Sequence, residues 1–219
     1  MTNLAENFRV IPGEKIEERE AVEVRPPEFS DENLALHFAG AHAEDLRFVD
    51  AWGRWLLWDG QRWAFDETRK AFDLVRAECR EAAARCNEKR LPLQLASAKT
   101  VAAVHRLAQS DQRLAGITDQ WDADPWALNI PGGTIDLRSA ERRPATPGDY
   151  STKMTAIAPG GQCPLFHRFL DEVMGHDAEL KAYLQRVFGY ALTGSTQEHA
   201  LFFLYGTGAN GKSVLLNTV

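Results

Sequence analysis

Eight consecutive residues have the types and spacing to grip a phosphate chain. Gly206-Thr207-Gly208-Ala209-Asn210-Gly211-Lys212-Ser213 fits G-x-x-x-x-G-K-[ST] at every fixed position. Gly206, Gly208 and Gly211 let the backbone bend so that several N–H groups converge on one anion. Lys212 brings a positive charge to the β- and γ-phosphate oxygens of ATP, and the Ser213 hydroxyl suits the Mg²⁺ that ATP carries. Thr207, Ala209 and Asn210 fill the loop and count with it as nucleotide contacts. A helix that starts where the loop ends points its positive pole at the same anion.

The flanking residues suit that chemistry. Ala200-Leu201-Phe202-Phe203-Leu204-Tyr205 is a continuous apolar run, which predicts a strand buried on both faces of a parallel sheet. Val214-Leu215-Leu216 then opens an apolar helix. A glycine-rich turn with an incidental lysine would leave the apolar run unexplained. No catalytic residue is assigned, because a working ATPase also needs an acidic strand for Mg²⁺ and water and a group that stabilises the transition state. Those are expected after Val219, so the chain by itself is expected neither to hydrolyse ATP nor to hold it tightly. Nothing else offers a metal site: His37, His42, His105, His167, His176 and His199 show no paired spacing around an acid. Cys79, Cys86 and Cys163 have no ligand spacing either. Cys79 and Cys86, seven apart on a predicted helix, are read as sharing one packed face.

The elements that must position this loop can be read upstream. Residues 1–29 crowd Glu14, Glu17, Glu18, Glu20, Glu23 and Glu28 around a closing Pro26-Pro27, and form a mobile acidic tail by expectation. Ser30 is an N-cap, Asp31 and Glu32 suit the first turn, and Leu34, Phe38 and Ala41 share a face. Leu46–Val49 reads as a short strand. Trp55–Trp58 and Gln61–Phe65 around Asp59-Gly60 read as a hairpin with a two-residue turn. Trp52, Trp55, Trp58 and Trp63 gather there as a small core, although exposed tryptophans would also stack nucleic-acid bases.

Helical spacing covers residues 67–87 and 98–109, with a break at Leu91-Pro92. Arg80, Arg85, Lys99 and Arg106 are read as solvated faces of these helices. Pro131-Gly132-Gly133 makes a tight turn from which Ile135-Asp136-Leu137 leaves as a strand. A helical hairpin follows: Pro164 at the first turn with Leu165, Phe166, Phe169, Leu170 and Val173 on one face, Gly175 as stop, Asp177 as the next cap, and Gly194 as the second stop.

The 219 residues, 44% apolar and 26% charged, make one or two domains with a sizeable core. The net charge of -6 leaves no overall electrostatic footprint for nucleic acid. No run approaches the roughly 20 apolar residues of a membrane span, and no secretory signal opens the chain. A cytoplasmic location without membrane contact is expected.

Leu201 to Ser213 resembles the Walker A segment of superfamily 3 helicases, especially phage and plasmid primase-helicases. Tyr183-Leu184-Gln185-Arg186 with Gly189-Tyr190-Ala191-Leu192-Thr193-Gly194 is similar to the helix before that segment. Asp124-Pro125-Trp126 through Leu137, Tyr150 to Thr155, and Ala51-Trp52-Gly53 with Trp58-Asp59-Gly60 and Trp63 resemble the family's poxvirus-primase-like N-terminal domain. The resemblance implies an ATP-driven, homo-hexameric AAA+ motor that unwinds DNA in phage or plasmid replication, with ATP and Mg²⁺ as cofactors.

The expected architecture has four parts: the tail 1–29, an α+β domain over 30–155, a helical linker over 156–199, and the first strand-loop-helix of an α/β P-loop domain over 200–219. The family's Walker B acids, sensor asparagine, arginine finger and primase module have no counterpart in these residues. Two other readings compete. A stand-alone DNA- or partner-binding module with a vestigial loop would end at Val219. A nucleotide kinase would usually begin near its loop, and the long upstream region speaks against it.

Overall fold

A computed structural model of the chain describes residues 26–206, 208 and 210–218. Residues 1–25, which hold most of the expected tail, lie outside the described residues, as do Thr207, Ala209 and Val219. The fold is mixed α+β, with seven α-helices and two small sheets among the described residues.

Ser30 opens the first helix, α1 (Asp31–Ala41), its hydroxyl accepting from the Asn33 N–H at 3.2 Å. β1 (Leu46–Val49), β2 (Arg54–Trp58), β3 (Trp63–Phe65) and the two-residue β4 (Ala115–Gly116) form the first sheet in the order β3-β2-β1-β4. β4 runs parallel to β1, and the other neighbours are antiparallel. Between β3 and β4 the chain makes α2 (Lys70–Arg85), the short α3 (Leu91–Leu95) and α4 (Ala98–Ala108). The break expected at Leu91-Pro92 is therefore one turn of helix, with Pro92 in its first turn where no N–H is missed. Asp66 starts α2, its carboxylate accepting from the N–H groups of Lys70 and Ala71 at 2.8 and 2.9 Å. Burial works against its charge, yet these bonds hold the carboxyl below its ordinary range.

Alternation in the strands divides the sheet's side chains between two cores. Leu46, Phe48 and Trp55 face α1, α2 and α4, where they pack with Phe38, Val75, Val104 and both Cys79 and Cys86. Burial, with Glu78 and Asp31 nearby, pushes the Cys79 thiol up to about 11, as befits a packing residue. Val49, Leu56 and Trp63 point to the other side and meet Trp121. The β2–β3 hairpin matches the expected pairing but not the expected turn. Trp58 pairs with Trp63, leaving a four-residue loop, Asp59–Arg62. The Asp59 carboxylate closes it by accepting from the Gln61 and Arg62 N–H groups, both at 2.8 Å.

Trp55 Nε1 donates to His105 Nε2 at 3.0 Å, so this imidazole is neutral with its proton on Nδ1. Burial, then Arg69, lowers the His105 pKa, with Asp66 opposing. Because the folded state disfavours the protonated ring, stability is full above the ordinary value of 6.5 and falls as pH drops below it, until the depressed folded value is reached. Urea midpoints followed from about pH 8 down to about pH 5 should show this loss. In His105→Gln the part of the slope that begins near the imidazole value should vanish, and an unchanged slope would remove His105 as its source.

The second sheet, β5 (Ala127–Ile130), β6 (Gly133–Asp136) and β7 (Arg142–Arg143), turns at Pro131-Gly132, where Gly132 takes φ 82°. The strand expected at Ile135–Leu137 thus begins two residues earlier. The buried Asn129 staples the two sheets, its Nδ2 donating to the carbonyls of Gln61 at 3.0 Å and Lys153 at 3.1 Å. Beyond it come α5 (Pro164–Val173) and α6 (Ala178–Ala191). Gly175 ends the first at φ 61°, and the Asp177 carboxylate caps the second by accepting from Glu179 and Leu180 N–H. The last helix, α7 (Lys212–Thr218), is the one expected after the glycine-rich loop.

The strand expected before that loop is not formed. Residues 200–206 lie in no strand, and Leu201, Phe203 and Tyr205 are 92%, 81% and 84% exposed. Phe202 and Leu204, at 38% and 36%, are less exposed, with Phe202 edge-on to Tyr190 at 6.4 Å. This period-two exposure is that of an extended segment laid on one surface. A strand exists only by pairing its N–H and C=O groups, and no described strand lies beside this one. No helix of the described residues is long and apolar enough to cross a membrane.

Candidate nucleotide-phosphate loop

Within the segment 206–213 it is Gly211 that rests on α5. Gly211 sits at φ 79°, and a Cβ there would come 2.7 Å from Val173 Cγ1 and 3.0 Å from Phe169 Cε2. Both the backbone angle and the close approach therefore require glycine at this point. The Gly211 carbonyl accepts the first bond of α7, from Leu215 N–H at 2.9 Å, and Leu215 is buried. Loop and helix are thus anchored at both ends of one turn.

Lys212 folds back over the loop. Its Nζ donates to the Gly206 carbonyl at 3.2 Å and to Asn210 Oδ1 at 2.7 Å. The glycine at 206 leaves room for the Asn210 side chain, whose Nδ2 a Cβ would overlap. Ser213 is exposed in the first turn of α7, beside Lys212. The structure therefore brings together Gly206, Asn210, Gly211, Lys212 and Ser213. Gly208 is a bend with open space where a Cβ would stand, while Thr207 and Ala209 fall outside the described residues.

The donor set suits an anion: an ammonium, a hydroxyl and the N–H groups of a helix start, with no carboxylate among them. A cleft of about 430 Å³ between the second sheet and the end of α6 offers the opposite chemistry. It is lined by Asp122, Asp124 and Asp149 with one lysine, Lys153. Asp149 keeps its charge despite burial because Arg143 holds it with two bonds of 2.8 Å. A phosphate chain would meet repulsion there. Among the described residues no group of three or more His, Cys, Asp or Glu could hold a metal ion.

Sequence reasoning missed the seat supplied by Phe169 and Val173. Its only signal was their place on the apolar stripe of α5, which looked like ordinary packing. It likewise gave no warning that Lys212 reaches the Gly206 carbonyl, a contact that depends on how the loop closes.

An α+β domain carrying a helical hairpin that seats a glycine-rich loop is the arrangement present. Residues 35–175 match the family model described as D5 N terminal like. That is more than half of the 219 residues, and the chain belongs to this family, the N-terminal domain of phage and plasmid primase-helicases of the D5 type, which act in replication. The match runs from α1 through α5 and stops before the loop at 206–213. No curated protein matches the chain in sequence.

Proposed function

We propose that Gly206–Ser213 is the ATP-phosphate loop of a replicative DNA helicase of the primase-helicase type. The observation that carries this is the Gly211 turn at φ 79°, seated on α5 and running straight into α7, with Lys212 closed over the loop. On this reading residues 30–155 are the N-terminal domain, 156–199 the linker, and 200–219 the opening of the P-loop motor. Lys212 exchanges its bond to the Gly206 carbonyl for phosphate oxygens, and backbone N–H groups of the loop donate to the same phosphates. Ser213 ligates Mg²⁺, which neutralises charge on the phosphates when bound. The working protein is a homo-hexamer on DNA.

Apolar Leu201, Phe203 and Tyr205 support the reading from a second direction. Such side chains suit a central strand of a parallel sheet, and their exposure here is relieved once neighbouring strands flank them.

Equilibrium binding of a fluorescent ATP analogue to the intact protein, with Mg²⁺ or with a chelator, tests the assignment. Binding should be tighter with Mg²⁺, and Ser213→Ala should remove that Mg²⁺-dependent gain. A Ser213→Ala protein that responds to Mg²⁺ as wild type does would sink the metal assignment.

A further inference from the structure

We propose that the outer face of the first sheet is a base-stacking site for single-stranded DNA, built on Trp52 and Arg54. This inference does not rest on the phosphate-loop reading. The register Val49 to Arg54 and Leu56 to Phe65 puts Arg54 and Phe65 on the sheet face away from α1, α2 and α4. The Arg54 guanidinium lies over the Phe65 ring, 4.2 Å from its centroid. Trp52, in the turn between β1 and β2, meets Phe65 edge-on at 5.6 Å and leans on Trp121 at 6.1 Å. Trp121 in turn is edge-on to the buried Trp63 at 5.7 Å. The outer rings thus rest on buried inner ones.

Trp52 and Phe65 nevertheless remain 37% and 38% exposed, the outer members of this ladder. Flat, pre-positioned rings beside a guanidinium plane are what an unpaired base stacks upon, and every base has such a face. Little ordering entropy is lost on binding because the platform is already fixed. Arg54 is exposed and supplies positive charge for the backbone on its side. Asp66, the nearest acid beyond Phe65, has its carboxylate turned to the start of α2. Asp50 flanks Trp52 and is exposed, which places phosphates on the Arg54 side and bases over Trp52. Duplex DNA does not fit, because its bases are already stacked within the helix. Membership of a replication family supplies a reason for single strands to be near.

The test is a titration of the protein, without nucleotide, into a labelled oligothymidylate of about 12 nucleotides, within the known range of site sizes. Anisotropy and tryptophan quenching should report one saturable event that weakens with salt. Trp52→Ala and Arg54→Ala should each weaken binding about tenfold, and Trp52→Tyr should restore most of it. Lys212→Ala should bind as wild type, which separates this site from the phosphate loop. The variants' melting temperatures confirm folding, since Trp52 is largely outside the core. Binding by Trp52→Ala at wild-type strength would overturn the proposal. So would equal affinity for duplex, or saturable capture of a protein partner on this face that the oligonucleotide does not displace.

Discussion

If the proposed phosphate loop drives ATP hydrolysis, Lys212→Ala should lower the protein's DNA-stimulated ATPase by about a hundredfold or more while residues 26–206 stay folded. The magnitude follows from removing one charged donor aimed at developing phosphate charge, a loss of about 10²–10³ in rate. In this structure Lys212 contributes nothing to either sheet core. Its bonds to the Gly206 carbonyl and Asn210 lie within the loop itself. Melting of the α+β domain should therefore be unchanged. Lys212→Arg should not rescue, because a forked guanidinium does not reproduce a compact ammonium in a closed loop. Retained ATPase in Lys212→Ala would remove Lys212 as a phosphate contact, and with it the proposed role of the loop.

Trp63→Ala should be the most destabilising single change in the domain, costing about 3–5 kcal/mol, the range for emptying a large core position. Trp63 is 1% exposed and joins parts of the chain far apart in sequence. Its ring stacks near Tyr150 at 6.5 Å, meets Trp58 at 5.8 Å and Trp121 at 5.7 Å, and lies under the Arg47 guanidinium. Nε1 donates to the Pro147 carbonyl and the backbone N–H to the Ser151 carbonyl, both at 2.8 Å. Against a typical stability of about 5–15 kcal/mol, such a loss approaches unfolding. Trp63→Phe keeps most of the volume and loses only the Nε1 bond to the Pro147 carbonyl, which still accepts from the Tyr150 N–H at 3.2 Å, so it should cost less. Chemical denaturation of the three proteins checks the order. A Trp63→Ala domain as stable as Trp63→Phe would show that the ring is not a keystone.

Local signals in the sequence were legible where one residue determines the outcome. Ser30 and Asp177 cap helices because a side-chain oxygen two or three residues from an unpaired N–H has few other uses. Gly175 stops α5 because only a residue tolerant of positive φ can continue that turn. β1 and the pairing of β2 with β3 followed from short apolar-rich runs and the Asp59-Gly60 turn signal between the latter two. The loop length at Asp59–Arg62 did not, because the Asp59 carboxylate closes a wider turn as readily as Asp59-Gly60 makes a narrow one. The parallel pairing of β4 with β1 was also unreadable, since two residues carry no period. At Ala200–Tyr205 the apolar run announced a strand, but composition cannot provide the neighbour with which a strand must bond. The phosphate loop was legible as a pattern of residues, whereas its seat on Phe169 and Val173 is tertiary and left no mark beyond helical spacing.

The three cysteines divide unequally: Cys79 and Cys86 are sealed in the helical layer, whereas Cys163 stands exposed immediately before Pro164. A thiol-directed dye would therefore report from one place without engineering. That place is the start of the helix whose Phe169 and Val173 touch Gly211, about 9 Å along its axis from Phe169 at 1.5 Å per residue. A change in how the loop closes would tilt or loosen that helix end, and a fluorophore at Cys163 would register it as a change in brightness or mobility. The chain thus carries its own optical gauge for the loop, several residues removed from any atom that would meet a nucleotide.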